Sequence, residues 1–147
     1  MKKLKLLVLV LAVILLTGCD KKMTCTSTSK QSSYTIESKY EITANGENVK
    51  EVKVTETITS KEKKKLEDFE KQFKNQYEYN KKTYGGYTYK VTNSNGKVVS
   101  TVTIDYNKFD IKKFIKDNAA MKSYTKNDKF TLSGAKKLYE STGATCK

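Results

Sequence analysis

The sequence predicts an α+β domain: an antiparallel sheet built from two β-hairpins, with helices packed on one face in the order β-β-α-β-β-α-α. Two observations carry this. Asn45-Gly46 and Asn95-Gly96 each stand between stretches in which apolar and polar residues alternate. Asn and Gly tolerate the positive φ of a tight hairpin turn, and a period of two marks a half-buried strand. Between the hairpins, Leu66, Phe69, Phe73 and Tyr77 recur at steps of three and four, the apolar stripe of an amphipathic helix.

Taken in order, Thr24 to Ser33 is rich in Ser and Thr around Cys25 and reads as a first strand or an extended lead-in. Tyr34, Ile36, Tyr40 and Ile42 then share one face of a strand, with Thr35, Glu37, Lys39 and Glu41 on the other. The return strand carries Val52, Val54 and Ile58 inward; Glu56 interrupts that face, which predicts a bulge or a strand end near it. Ser60 is placed to cap a helix from Lys61 to about Asn80. Glu67-Lys71 and Glu70-Lys74 have i,i+4 spacing on its charged side. Because acids interleave with the lysines, the stripe is assigned to covering the sheet and not to lying on a membrane.

Tyr84-Gly85-Gly86-Tyr87 predicts a turn. The second hairpin has Tyr87, Tyr89 and Val91 inward on one strand and Val98, Val102, Ile104 and Tyr106 on the other. Asp110 is placed to cap a short helix bearing Ile111, Phe114 and Ile115. Residues 122–130 are polar and lysine-rich and read as a loop. Ser133 starts a last helix with Leu138 and Tyr139 inward, and Gly143 ends it.

Ahead of this domain, Lys2, Lys3 and Lys5 precede an unbroken apolar run from Leu6 to Leu16, followed by Thr17-Gly18-Cys19. The run has signal-peptide length, short of the roughly 20 residues that span a bilayer. Leu16-Thr17-Gly18-Cys19 reads as a lipobox, with a small residue before an acceptor cysteine that takes diacylglycerol before cleavage on its amino side. The expected organisation is therefore a lipoprotein signal peptide at 1–18, the lipidated Cys19 and a short tether at 19–24, and a single α+β domain at 25–147. The expected location is the outer face of the cell membrane.

The formal charge is +13; the three signal lysines leave with the signal, so the mature chain carries +10, and every basic residue is lysine. Such a charge favours anionic partners, lipid head groups, wall polymers or released nucleic acid, over long range. Lysines spread through every segment also keep an exported domain soluble. With Cys19 lipidated, Cys25 and Cys146 remain as an even pair in an oxidising compartment, which predicts a disulfide; two free thiols are the alternative. A disulfide pins Lys147 near the anchor beside Lys21 and Lys22, three ammonium groups expected to face the lipid surface.

Catalytic constellations are thin. The chain has no histidine, no serine in a nucleophile-elbow motif and no calcium-loop spacing. Two thiols without histidine make a poor zinc shell. No enzyme activity, cofactor or metal is expected. Tyr34, Tyr40, Tyr77, Tyr87, Tyr89, Tyr106 and Tyr139 all fall on inward faces, which argues for core and against stacking platforms for nucleic acid.

The lipobox, the cysteine soon after it, two hairpins around a charged helix, Ile104-Asp105-Tyr106 leading into Phe109-Asp110-Ile111, and the ending from Leu138 to Lys147 resemble small YehR-like lipoproteins of bacteria. The likeness runs over nearly the whole mature domain. It implies an α+β lipoprotein and supplies no catalytic residue. The positions of Cys25 and Cys146 resemble a pair in the subset from Gram-positive hosts. The expected function is a non-enzymatic, lipid-anchored surface protein associating with anionic envelope material through lysines. The alternative is a binding module for a small ligand or protein partner, accessory to a membrane complex.

Overall fold

A computed structural model describes residues 20–147; the expected signal peptide and the lipidation expected at Cys19 lie outside the described residues. Both Asn-Gly turns form. β2 (Tyr34–Asn45) pairs with β3 (Asn48–Ser60), and β4 (Tyr87–Ser94) with β5 (Lys97–Asp105). Gly46 and Gly96 hold φ of 59° and 73° at these turns, the left-handed region that glycine enters without steric cost. β3 and β5 join the hairpins edge to edge, so the predicted antiparallel α+β sheet is present.

The sheet is larger than two hairpins. β1 (Asp20–Lys30) pairs along its whole length with β2, and a two-residue β8 (Thr145–Cys146) pairs with β1. The order across the six strands is β4-β5-β3-β2-β1-β8. Residues 20–24, assigned from the sequence to a tether, are part of β1, because their backbone pairs with residues 41–45 of β2.

Three helices follow from local chemistry with corrected ends. α1 (Lys63–Tyr84) begins two residues later than expected. Ser60 is not its cap: the Ser60 hydroxyl donates to the Ser33 carbonyl at 2.8 Å and accepts from the Glu62 amide at 3.0 Å, tying the helix entry to the β1–β2 loop. α1 also runs four residues further than expected, because Tyr84 is held edge-on between Phe109 and Phe114. Glu70 pairs with Lys74 at 2.6 Å as its spacing predicts, while Glu67 pairs backward with Lys63 at 3.8 Å.

α2 (Ile111–Asp117) is capped by Asp110, whose carboxylate accepts from the Lys113 amide at 2.9 Å. α3 (Leu132–Ser141) is capped by Thr131 and not by Ser133: the Thr131 hydroxyl accepts from the Gly134 amide at 2.9 Å. Residues 122–130 are not a plain loop. A 3-10 helix, Ala119–Tyr124, leads into a two-strand ribbon of β6 (Thr125–Lys126) and β7 (Lys129–Phe130), turning at Asn127 and Asp128 with positive φ. This segment buries Phe130, stacked on Tyr106 with centroids 5.4 Å apart.

All three helices lie on one face of the sheet, leaving the other uncovered. α1 covers β3, β4 and β5, and α3 covers β1 and β2. The core is divided accordingly. One apolar cluster holds Cys25, Ile42, Val52, Phe130 and Ala135; the second holds Ile58, Leu66 and Val98 under the start of α1. Between them a polar row crosses the sheet. Ser27, Ser38, Glu56 and Ser100 are register partners on neighbouring strands, so all four point to the helix side.

Glu56 makes neither a bulge nor a strand end. The ladder continues regularly through it, and the register shift lies between Thr43 and Ala44 instead. Hydroxyls explain why it stays inward: Ser38 and Tyr77 each donate to its carboxylate at 3.4 Å.

Candidate functional site

The sequence singled out Cys19, Cys25, Cys146, Lys21, Lys22 and Lys147. Cys25 and Cys146 form a disulfide across the β1–β8 pair. Beside it, Thr24 and Lys147 exchange two backbone hydrogen bonds of 2.9 Å each. Strand alternation then divides the three lysines. Cys25 faces the helices, so Lys22 and Lys147 project from the uncovered face, side by side at its edge, while Lys21 projects from the helix face and pairs with Glu47 at 3.8 Å. The structure brings Lys22 and Lys147 together and separates Lys21 from them.

The uncovered face extends this pair into a surface. Thr24, Thr26 and Thr28 on β1, Thr55, Thr57 and Thr59 on β3, and Thr101 and Thr103 on β5 fall in parallel ranks. Ranks of this kind repeat at about 4.8 Å across strands and about 6.8 Å along them. Lys22, Lys30, Lys39, Lys53, Lys90, Lys97 and Lys147 share this face. Their acidic neighbours are Asp20, Glu37, Glu41, Glu51 and Asp105.

Lys39 and Lys53 both meet Glu41, at 2.9 and 4.0 Å, which holds the Glu41 carboxyl below its ordinary range chiefly through the Lys39 hydrogen bond. Lys22, Lys30, Lys90, Lys97 and Lys147 make no ion pair among the described residues. On the helices, Lys63, Lys74, Lys82, Lys113 and Lys136 each pair with a carboxylate one turn away. Lys64, Lys71, Lys81, Lys116 and Lys137 on the same helices make no ion pair among the described residues, so uncompensated positive charge stands on both sides of the sheet, and on the open face it stands among threonines. That face carries no exposed large apolar side chain, since Tyr79 on α1 is the one such residue described.

A second polar feature lies on the helix side. Burial drives the Glu56 carboxyl above its ordinary value, with the Tyr77 and Ser38 hydroxyls pulling the other way. The Tyr77 hydroxyl also meets Ser100 at 3.1 Å, and burial raises the Tyr77 phenol strongly. Tyr40 is raised mainly by burial as well, with Glu56 adding to it.

A folded-state pKa above the unfolded one means that Glu56 favours folding at low pH and that this contribution is lost as pH rises through the folded value. The carboxylates of Glu70, Glu78, Asp105 and Asp117 are lowered mainly by hydrogen bonds, so they act in the opposite sense. The expected result for Glu56→Gln is a higher unfolding midpoint than the parent near pH 7 and a smaller difference near pH 4. Thermal melts of both proteins across that range read it; a difference that grows toward acid pH contradicts the burial argument.

A cleft of about 380 Å³ opens beside Tyr106 and Phe130, with Asn45, Asn48, Lys50 and Asp128 on its walls. Of its three charged lining residues, Lys50 meets Asp20 at 3.0 Å and Asp128 meets Lys112 at 3.8 Å, while Lys129 makes no ion pair among the described residues. Among the described residues no group of three His, Cys, Asp or Glu side chains is arranged to hold a metal, and no helix is long and apolar enough to cross a membrane.

Sequence reasoning missed the polar row, although one signal was present: Glu56 at a position where alternation calls for an apolar residue. Ser27, Ser38 and Ser100 gave none, since serine is ordinary in strands and their alignment depends on register.

The architecture is that of a small antiparallel α+β domain with one helix-covered and one open sheet face, and the chain has a YehR-like fold. It is similar to the NMR structure of the Escherichia coli YehR protein, with a TM-score of 0.57 and 18% identity over 86% of this chain and 91% of that one. It is also similar to the NMR structure of a protein from Streptococcus pneumoniae TIGR4, with a TM-score of 0.52 and 14% identity over 89% of this chain and 87% of that one. No family model matches the chain, and no curated protein matches it in sequence.

Proposed function

We propose that this protein is a non-enzymatic lipoprotein of the Gram-positive YehR-like type, anchored at the outer face of the cell membrane through Cys19. Its open sheet face holds anionic envelope material, either lipid head groups or wall polymers. The observation that carries this reading is the set of five lysines that make no ion pair among the described residues and lie on a face of threonine hydroxyls. Lysine ammonium groups near an anionic surface contribute up to about 1 kcal/mol each. Threonine hydroxyls between them can donate to phosphate or sugar oxygens.

The segment Asp20–Lys147 contains every strand and helix described and both partners of the disulfide, so it is the folding unit. Titrated against isolated envelope material, it is expected to bind when the anionic polymers are present and to lose binding steeply as salt rises. Changing Lys22, Lys30, Lys90 and Lys97 together to Gln is expected to weaken binding about a hundredfold at low salt. Changing Lys63, Lys74, Lys82 and Lys113 to Gln removes the same formal charge from the helices and is expected to leave most of the binding. Equal losses in the two variants, or no binding at low salt, overturn the reading. Cys19→Ser in the full chain is expected to move the protein from the membrane to the soluble fraction.

The alternative, a binding module accessory to a membrane complex, draws on the polar row beneath the helices. Saturable binding that survives high salt distinguishes it.

A further inference from the structure

Glu56 is the carboxylate the fold treats differently from all the others around it. In a chain with so many lysines it has none within ion-pair distance among the described residues, and no lysine occupies the polar row or the helix positions above it. Its hydrogen bonds, from Ser38 and Tyr77, are both long at 3.4 Å, whereas an ionised carboxylate offers about four acceptor sites. Tyr77 divides its hydroxyl between Glu56 and Ser100. A half-buried carboxylate with two long hydrogen bonds and no ion pair among the described residues keeps acceptor capacity to spare.

The surroundings suit one kind of cation. On the β1–β2 side, Tyr40 and Tyr139 stack with centroids 4.1 Å apart. On the other, Phe73 and Tyr77 lie parallel at 5.7 Å. α1 covers β3 to β5 and α3 covers β1 and β2, so the row crosses the sheet where one helix gives way to the other. Ser27, Ile36, Tyr40 and Glu56 all keep partial solvent exposure there. Tyr40 and Tyr77 each have one ring face taken by a stacked neighbour, and an organic ammonium held by the Glu56 charge would meet the remaining face of Tyr40 by cation–π attraction. A bare metal ion would want several more oxygen ligands than the row supplies.

We propose that Glu56, with the Ser38 and Tyr77 hydroxyls and the ring of Tyr40, forms a binding site for a small organic ammonium group, entered from the β2 side between α1 and α3. This site is on the face of the sheet opposite the lysine surface and does not depend on that surface binding anything. The raised pKa of the Glu56 carboxyl is the ordinary consequence of such a site being empty.

The test uses the oxidised Asp20–Lys147 chain, titrated with ethylammonium and separately with tetramethylammonium, with sodium chloride at the same ionic strength as control. The probe is the Glu56 side-chain carboxyl together with the Ser38 and Tyr77 signals by NMR. Expected are saturable shifts centred on these three residues, and a lower titration midpoint for Glu56 when the ammonium is present. Glu56→Gln, which keeps shape and hydrogen bonding, is expected to weaken binding at least about tenfold. Tyr40→Leu, which keeps an apolar side chain and removes the ring, is expected to weaken tetramethylammonium more than ethylammonium. Shifts spread over surface carboxylates, shifts that sodium reproduces, or undiminished binding in Glu56→Gln overturn the proposal.

Discussion

Replacing Cys25 and Cys146 by serine lowers the unfolding free energy by about 4–5 kcal/mol, the chain-entropy value for a loop of this length. The two cysteines are 121 residues apart, so the bond closes almost the whole domain and removes a large part of the freedom of the unfolded chain. A loss of that size in a domain this large lowers the thermal midpoint by about 15 °C. The folded-state contacts that remain explain where the damage is felt. β8 is two residues long and joins the sheet through β1, and behind it stands α3, whose Tyr139 stacks on Tyr40. Hydrogen exchange of the double-serine protein should therefore quicken first in residues 132–147 and in β1, with the β3–β5 ladder protected longest. Uniform loss of protection, or a midpoint unchanged from the parent, would falsify this account.

The second large effect is expected at Gly134. Its φ is ordinary for a helix, so conformation is not the reason a glycine stands there. A Cβ at this position would lie 2.0 Å from the Tyr124 carbonyl oxygen and 2.7 Å from the Thr131 hydroxyl that caps α3. The backbone of the 3-10 helix packs directly on the first turn of α3, and the cap depends on the same contact. Gly134→Ala must push one backbone away from the other, at a cost of about 3 kcal/mol. Helix propensity alone predicts the opposite sign, a gain of roughly 1 kcal/mol. Chemical denaturation of the variant decides between them: a stability at or above the parent means that the two backbones part freely.

The parts of the fold set by neighbouring residues were legible in the sequence. Asn45-Gly46 and Asn95-Gly96 required their turns, alternation assigned the strand faces, and Asp110 could serve as a cap from sequence alone. What was hidden depends on distant partners. Lys81 to Tyr84 remain helical because Tyr84 finds Phe109 and Phe114. β1 is a full strand because β2 offers it a complete ladder, although its own Ser- and Thr-rich sequence shows little hydrophobic pattern. The 122–130 segment folds back because Phe130 has a site over Tyr106, a single apolar residue in a polar stretch.

The candidate surfaces divide in the same way. Lys39, Lys53 and Lys90 on the open face follow from the alternation of β2, β3 and β4, whereas the faces of Lys22, Lys30 and Lys147 depend on β1 and β8, which were hidden. Which of them lack partners could not be read, because that depends on neighbours across strands: Glu41 takes both Lys39 and Lys53 and leaves the edges unmatched. Glu56 was visible as an exception to the alternation and invited a backbone explanation. The hydroxyls that hold it inward come from β2 and α1, 18 and 21 residues away in the chain.

The position of the disulfide within β1 has a mechanical consequence. A pull on residue 20 along the axis of β1 loads the β1–β2 hydrogen bonds together, in shear, and does not peel them one at a time. At most the five residues from Asp20 to Thr24 can be drawn out of the sheet before the tension reaches Cys25 and divides between the rest of β1 and the covalent link to Cys146. Beyond that point the load is shared between the two ends of the chain, and the domain yields only if both ends leave the sheet.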